Sequence, residues 1–141
     1  MDRRVIFEKV ESLRRCVRRI EEKRPDDPEV LMEDWDLQDI LSLNLMRAVQ
    51  LCVDVAAHVI ASLDAPPPDT MAGAFDVLRD AGWLDPDLTD RMKAAVGFRN
   101  VAVHTYRAID WMIVYRICHE HLGEFRAFAH SVTEIVEKLE E

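Results

Sequence analysis

Apolar residues in the first two dozen positions recur at helical spacing. Val5, Ile6, Val10, Leu13, Cys16, Val17 and Ile20 fall near one side with charges opposite, which predicts an amphipathic helix from about Asp2 to Arg24. Pro25 and Pro28 end it. A second helix is predicted to start between Glu29 and Asp36 and to stop near Leu63, ahead of Asp64-Ala65-Pro66-Pro67-Pro68. Its stretch from Leu37 to Ala61 is apolar nearly all round, so it should be buried on more than one side, as the central helix. Thr70 can cap a short helix ending at Gly82, and Asp85-Pro86 supplies a cap and a first-turn proline for a fourth helix bearing Leu88, Met92, Ala95, Val96 and Val103. A last helix is predicted from Asp110 to about Leu139, with Ile113, Ile117, Leu122, Phe125, Phe128, Val132, Ile135 and Val136 recurring mostly at steps of three and four. No segment alternates with period two, and the loops are short. The expected fold is all-α, an up-and-down antiparallel bundle of four to five helices.

Composition bounds this picture more than it changes it. With 141 residues and 49% apolar content, residues 1–141 read as one domain. Cys16, Cys52 and Cys118 are odd in number and widely spaced, which favours buried thiols in a reducing compartment over a zinc or redox motif. The N-terminus interleaves charges and lacks the apolar core of a signal peptide, and no uncharged apolar run approaches membrane length. A cytoplasmic protein with no membrane role is expected.

Net charge is −9, which argues against a polyanionic partner until its distribution is considered. Residues 1–24 hold nine Lys or Arg against five acids, so the first helix is a candidate phosphate-facing surface, although compensating Glu and Arg also suit a solvated helix face.

The candidate chemistry lies in Phe98-Arg99-Asn100-Val101-Ala102-Val103-His104-Thr105-Tyr106. An arginine, an amide, an imidazole and a phenol are the groups that RNA cleavage without a metal needs. Imidazole can take the proton of a 2′-hydroxyl or give one to the departing 5′-oxygen. Guanidinium can fork onto phosphate oxygens and offset charge building up in the transition state. On a continuous helix, however, His104 would stand about 140° round from Arg99, and Tyr106 about 10 Å further along the axis. The helix must therefore break near Val103, a break that its β-branched residues favour, or a second copy of the chain must complete the site.

This segment resembles a known family. Arg99, four residues, His104, one residue and Tyr106 match the R-x4-6-H-x-Y signature of HEPN ribonucleases, and the run F-R-N-V-A-V-H-T-Y is similar to the HepT-like toxin branch. The polar stripe of the second helix and Tyr106-Arg107-Ala108-Ile109-Asp110-Trp111-Met112-Ile113-Val114-Tyr115 are similar too. The resemblance implies a HEPN-like fold and a homodimeric endoribonuclease toxin independent of metal and cofactor, in which Arg99 and His104 of both subunits line one cleft. Asn100 and Tyr106 would position substrate. It also implies a partner, an MntA-like minimal nucleotidyltransferase antitoxin that transfers AMP to Tyr106. The alternative is a noncatalytic helical protein that docks a nucleotidyltransferase.

Asn44, Arg47, Leu51, Asp54 and His58 follow steps of three and four on the central helix. They form either an interhelix network or a second wall of the active site, with Asp54 available to hold the Arg99 guanidinium. His119, Glu120, His121 and His130 read as a solvated helix face rather than a metal site. Trp35, Trp83 and Trp111 read as core or interface anchors.

Overall fold

The computed structural model describes residues 1–140. Seven α-helices are present among them: α1 (Arg3–Lys23), α2 (Pro28–Glu33), α3 (Trp35–Ile60), α4 (Gly73–Asp80), α5 (Pro86–His104), α6 (Trp111–Glu120) and α7 (Leu122–Leu139). A 3-10 turn, Tyr106–Ala108, joins α5 to α6. The all-α class matches the expectation, and the helix count exceeds it at two places.

Five of the seven helix starts follow a shared rule. Asp2, Asp27, Asp34, Asp85 and Asp110 each accept a backbone N–H of the first turn, at 3.2, 2.9, 3.1, 2.7 and 2.9 Å. Each satisfies a donor that the helix itself cannot pair, worth about 1 kcal/mol. The region between Glu29 and Asp36 uses two such caps instead of one. Pro28–Glu33 forms a short helix of its own, and Asp34 ends it while capping α3. Gln38 Nε2 holds the corner by donating to the Leu31 and Met32 carbonyls at 2.9 and 3.1 Å.

The expected last helix divides at His121, whose backbone adopts φ −121° and ψ 5°. His121 Nδ1 lies 2.6 Å from Glu124 Oε1, and Gly123 follows, a weak helix former. Both halves bury apolar residues in the same core, Val114 and Cys118 from α6 and Phe125, Phe128 and Val132 from α7, so the hydrophobic rhythm runs on through the break. At the other punctuation point, Gly82 takes φ +84°, a left-handed conformation suited to glycine, and lets Trp83 N–H reach back to the Leu78 carbonyl at 2.9 Å.

α3 is the axis of the bundle. It packs mainly on α1 and also meets α4, α5 and α7. Leu41, Leu45, Ala48, Val49, Cys52, Val55, Ala56 and Val59 are all buried. An 18-residue window of α3 has mean hydropathy 1.5, enough by length and composition to cross a membrane, yet half of that window is covered by neighbouring helices and α3 carries Asp39, Arg47 and Asp54. Its apolarity is what a helix surrounded by others requires.

His119 departs from the expected solvated face, and Trp35 from a core position. His119 Nε2 lies 2.8 Å from the Pro25 carbonyl oxygen, Tyr115 donates its hydroxyl to the Asp26 carbonyl at 2.6 Å, and Arg24 donates to the Cys118 carbonyl at 2.8 Å. His119 thus ties α6 to the α1–α2 loop instead of facing water. Trp35 is 80% exposed and anchors nothing in the chain's own core, whereas Trp83 and Trp111 pack against it. All three cysteines are free and buried. Burial pushes the Cys118 thiol up to about 12 and raises Cys52 well above its ordinary value, which leaves them unreactive as thiolates.

Phe75 of α4 and Phe128 of α7 meet edge to face, with ring centroids 5.5 Å apart, and both are fully buried. Phe128→Ala is expected to cost about 3–5 kcal/mol in equilibrium unfolding, through lost burial and the cavity left behind. A loss below about 1 kcal/mol would show that this contact does not lock α4 onto α7.

Candidate active site

α5 packs on α3, α4 and α7, burying Met92, Val96 and Ala102, and leaves the opposite side of its last turns in solvent. Asn100, Val101, Val103 and His104 are exposed there, and Arg99 is half-buried. Arg99 donates to Asn100 Oδ1 at 3.2 Å.

The helix breaks one residue later than expected. His104 is still helical; Thr105, at φ −139° and ψ 58°, is the cap. Its N–H and hydroxyl both reach the Val101 carbonyl, at 2.9 and 3.1 Å. The chain then turns through Tyr106–Ala108, buries Ile109 and starts α6 at the Asp110 cap. His104 therefore keeps its helical direction away from Arg99, and no hydrogen bond joins the two among the described residues. Only Tyr106 turns back.

Tyr106 turns onto a residue outside the stripe traced from the sequence. Its hydroxyl donates to Asp39 Oδ1 of α3 at 2.7 Å, and its ring meets the edge of Trp111 with centroids 5.9 Å apart. Burial of the phenol pushes its pKa above the ordinary tyrosine value, the hydrogen bond to Asp39 and that residue's negative charge push it the same way, and Ser42 offsets part of the rise. The phenol is held neutral and pointed. In the chain around Asp39 the charge is one-sided, since residues 25–46 contain seven acids and no Lys or Arg.

The supporting stripe faces α1 instead of α5. Asn44 Nδ2 donates to the Ile40 carbonyl of its own helix at 2.8 Å. Asp54 accepts from Gln50 at 2.9 Å and stands 3.7 Å from Lys9 Nζ. The Asp54–Arg99 pair expected from the sequence is not formed, because Lys9 and Gln50 occupy that carboxylate. His58 lies with Lys9, Asp54, Ala57 and Ala61 around a shallow depression, and Arg47 is exposed. Among the described residues no group of three or more His, Cys, Asp or Glu is placed to hold a metal ion. His121 pairs with Glu124 and His130 with Glu134, at 2.6 and 3.2 Å.

The fold and the exposed Arg99-to-Tyr106 segment define a HEPN-type helical bundle. Residues 13–132 match the family model described as ribonuclease HepT-like, and the chain belongs to that family. It is 32% identical over 124 residues to the mRNA nuclease HepT of Shewanella oneidensis, covering 88% of this chain and 92% of that protein. Its fold is similar to that of the tri-AMPylated S. oneidensis HEPN toxin in complex with MNT antitoxin, with TM-score 0.87 and 30% identity over 95% of this chain and 99% of that one. YutE of Bacillus subtilis, a cytosolic protein of unknown function, shares the fold alone, with TM-score 0.85 at 16% identity over 98% of this chain and 92% of that one.

Removing the charge at residue 39 should ease ionisation of the phenol. In a Tyr115→Phe background, Asp39→Asn is expected to move the ultraviolet titration midpoint of Tyr106 downward, toward the ordinary tyrosine value. An unmoved midpoint would mean that Asp39 does not hold the hydroxyl in solution.

Proposed function

We propose that the chain is a metal-independent endoribonuclease toxin of the cytoplasm, working as one HEPN unit over residues 1–141 and as a homodimer. The observation that carries this reading is the exposure of Asn100 and His104 in the last turns of α5, with Arg99 half-buried on the same helix, in a chain of the HepT-like ribonuclease family. Within one chain Arg99 engages Asn100, and His104 points elsewhere. A second copy facing the first would bring its own pair to the opposite wall. Leu43, Val101, Val103 and Ile113, exposed on α3, α5 and α6, supply the apolar area such a pairing buries.

The chemistry is a transfer within the RNA strand. His104 takes the 2′-hydroxyl proton as the 2′-oxygen bonds to phosphorus, and the bond to the 5′-oxygen breaks as that oxygen gains a proton from the facing histidine. The products are a 2′,3′-cyclic phosphate and a free 5′-hydroxyl. Arg99 offsets charge on the phosphoryl oxygens, and Asn100 and Tyr106 orient the group. His104→Ala should lower cleavage by a factor of ~10² to 10⁴, in chelator and with the protein sedimenting as a dimer. Retained cleavage in that variant would remove His104 from the mechanism and favour a noncatalytic protein that docks a nucleotidyltransferase.

The regulating partner is an MntA-like minimal nucleotidyltransferase that modifies Tyr106. The phenol oxygen bonds to the α-phosphorus of ATP, pyrophosphate leaves, and Asp39, already accepting the phenol hydrogen bond, is placed to take the proton. The added phosphate and nucleoside then fill the space of a substrate phosphate and draw Arg99 into pairing. After incubation with the nucleotidyltransferase and ATP, intact mass should rise by AMP in the native protein and not in Tyr106→Phe. An undiminished adduct on that variant would place the modification elsewhere.

A further inference from the structure

The basic first helix and the polar stripe of α3 lie far apart in the chain and face each other in the fold. A groove of about 560 Å³ runs between them, with Arg15 and Arg19 on the α1 side and Asn44, Arg47, Gln50 and Asp54 on the α3 side. Cys16 lies in its floor, nearly buried. Arg15 and Arg47 line the same space from opposite helices, and their charges offset part of the rise that burial gives the Cys16 thiol.

The groove's charges are unevenly matched. Arg19 stands 3.7 Å from Glu22, and Asp54, the one carboxylate in the lining, is engaged by Lys9 and Gln50. Arg15 and Arg47 form no ion pair and no side-chain hydrogen bond among the described residues. Two free guanidinium groups facing one space, beside the amides of Asn44 and Gln50, suit an extended chain of phosphates. Leu51 is the only large apolar side chain in the lining, too little for a partner helix to bury, and no aromatic ring is present on which a base could stack. Arg47 lies eight residues beyond Asp39, about 12 Å along α3 from the carboxylate that holds Tyr106, so one strand can span both places.

The geometry points to the α1–α3 groove as a track for the phosphodiester backbone of the RNA substrate, separate from the cleaving residues and indifferent to base sequence. The inference rests on the ribonuclease reading above. It also resolves a difficulty of charge, since a chain of net charge −9 needs a local cationic surface to retain a polyanion.

The test compares the native protein with Arg15→Gln/Arg47→Gln, using a long single-stranded RNA and an oligonucleotide too short to reach the groove. With long RNA, KM should rise at least tenfold in the double variant, by far more than kcat falls. The log–log salt slope should become shallower by ~0.7 for each phosphate that is no longer neutralised. The defect should shrink on the short oligonucleotide, and Arg15→Lys/Arg47→Lys should recover most of the slope. Native cleavage with unchanged KM and slope in the double variant would overturn the track while leaving the ribonuclease reading intact. If the native protein cleaves no RNA, that reading fails, and equilibrium binding of a fluorescent single-stranded RNA decides the groove alone: a Kd weakened at least tenfold in the double variant supports the track, and an unchanged Kd overturns it.

Discussion

Covering α3 is the constraint from which the architecture follows. Its 26 residues present apolar side chains around most of its circumference, and water can be excluded from such a surface only by helices on several sides. α1, α4, α5 and α7 all meet that demand, so a chain of 140 described residues spends most of its helices on one central partner. What α3 keeps uncovered is then specific. Asp39 meets Tyr106 just past the end of α5, Leu43 is exposed, and Arg47 and Asp54 line the groove beside α1.

The same helix therefore serves two neighbours in two ways. Against α5 it gives a packing face that fixes Met92 and Val96 and so fixes which side of α5 looks outward. At its start it offers Asp39, which sets the direction of the one aromatic hydroxyl in the motif. Neither function calls for a loop of unusual conformation. Both follow from the register in which two long helices lie together, and that register is held by fully buried aliphatic residues whose displacement would be costly.

Much of this is legible in the sequence, and the failures have physical causes. The helical class, the central role of α3 and the boundary at Asp85 show in periodicity and capping residues, which act locally, while the end of α5 shows only in its β-branched residues. The break at His121 does not, since Cys118, Leu122 and Phe125 keep steps of four and three across it and a hydrophobic pattern reports burial instead of continuity. Asp34 is hard to place because it ends one helix while opening the next. The motif residues are recognisable by their chemistry, but Asp39 is not. A carboxylate 67 positions from Tyr106 becomes its partner only through packing, and nothing distinguishes it in sequence from Asp36 beside it. The pairing expected of Asp54 fails for the related reason that periodicity gives a residue's face on its own helix and not which neighbour that face meets.

Tyr106 stands just past the end of α5, in a single 3-10 turn with its side chain partly in solvent. A tyrosine in the body of a packed helix can be reached by a modifying enzyme only if that helix frays, which ties the rate of modification to the stability of the target. Here the backbone around the acceptor is already out of the helical ladder, held by a cap on one side and by buried Ile109 on the other. The hydroxyl can exchange Asp39 for another contact without any helix unwinding. Under the modification proposed for Tyr106, a bundle of this design would be silenced as a finished folded object, and the speed of its control would be set by encounter with the modifying enzyme and not by the protein's own breathing.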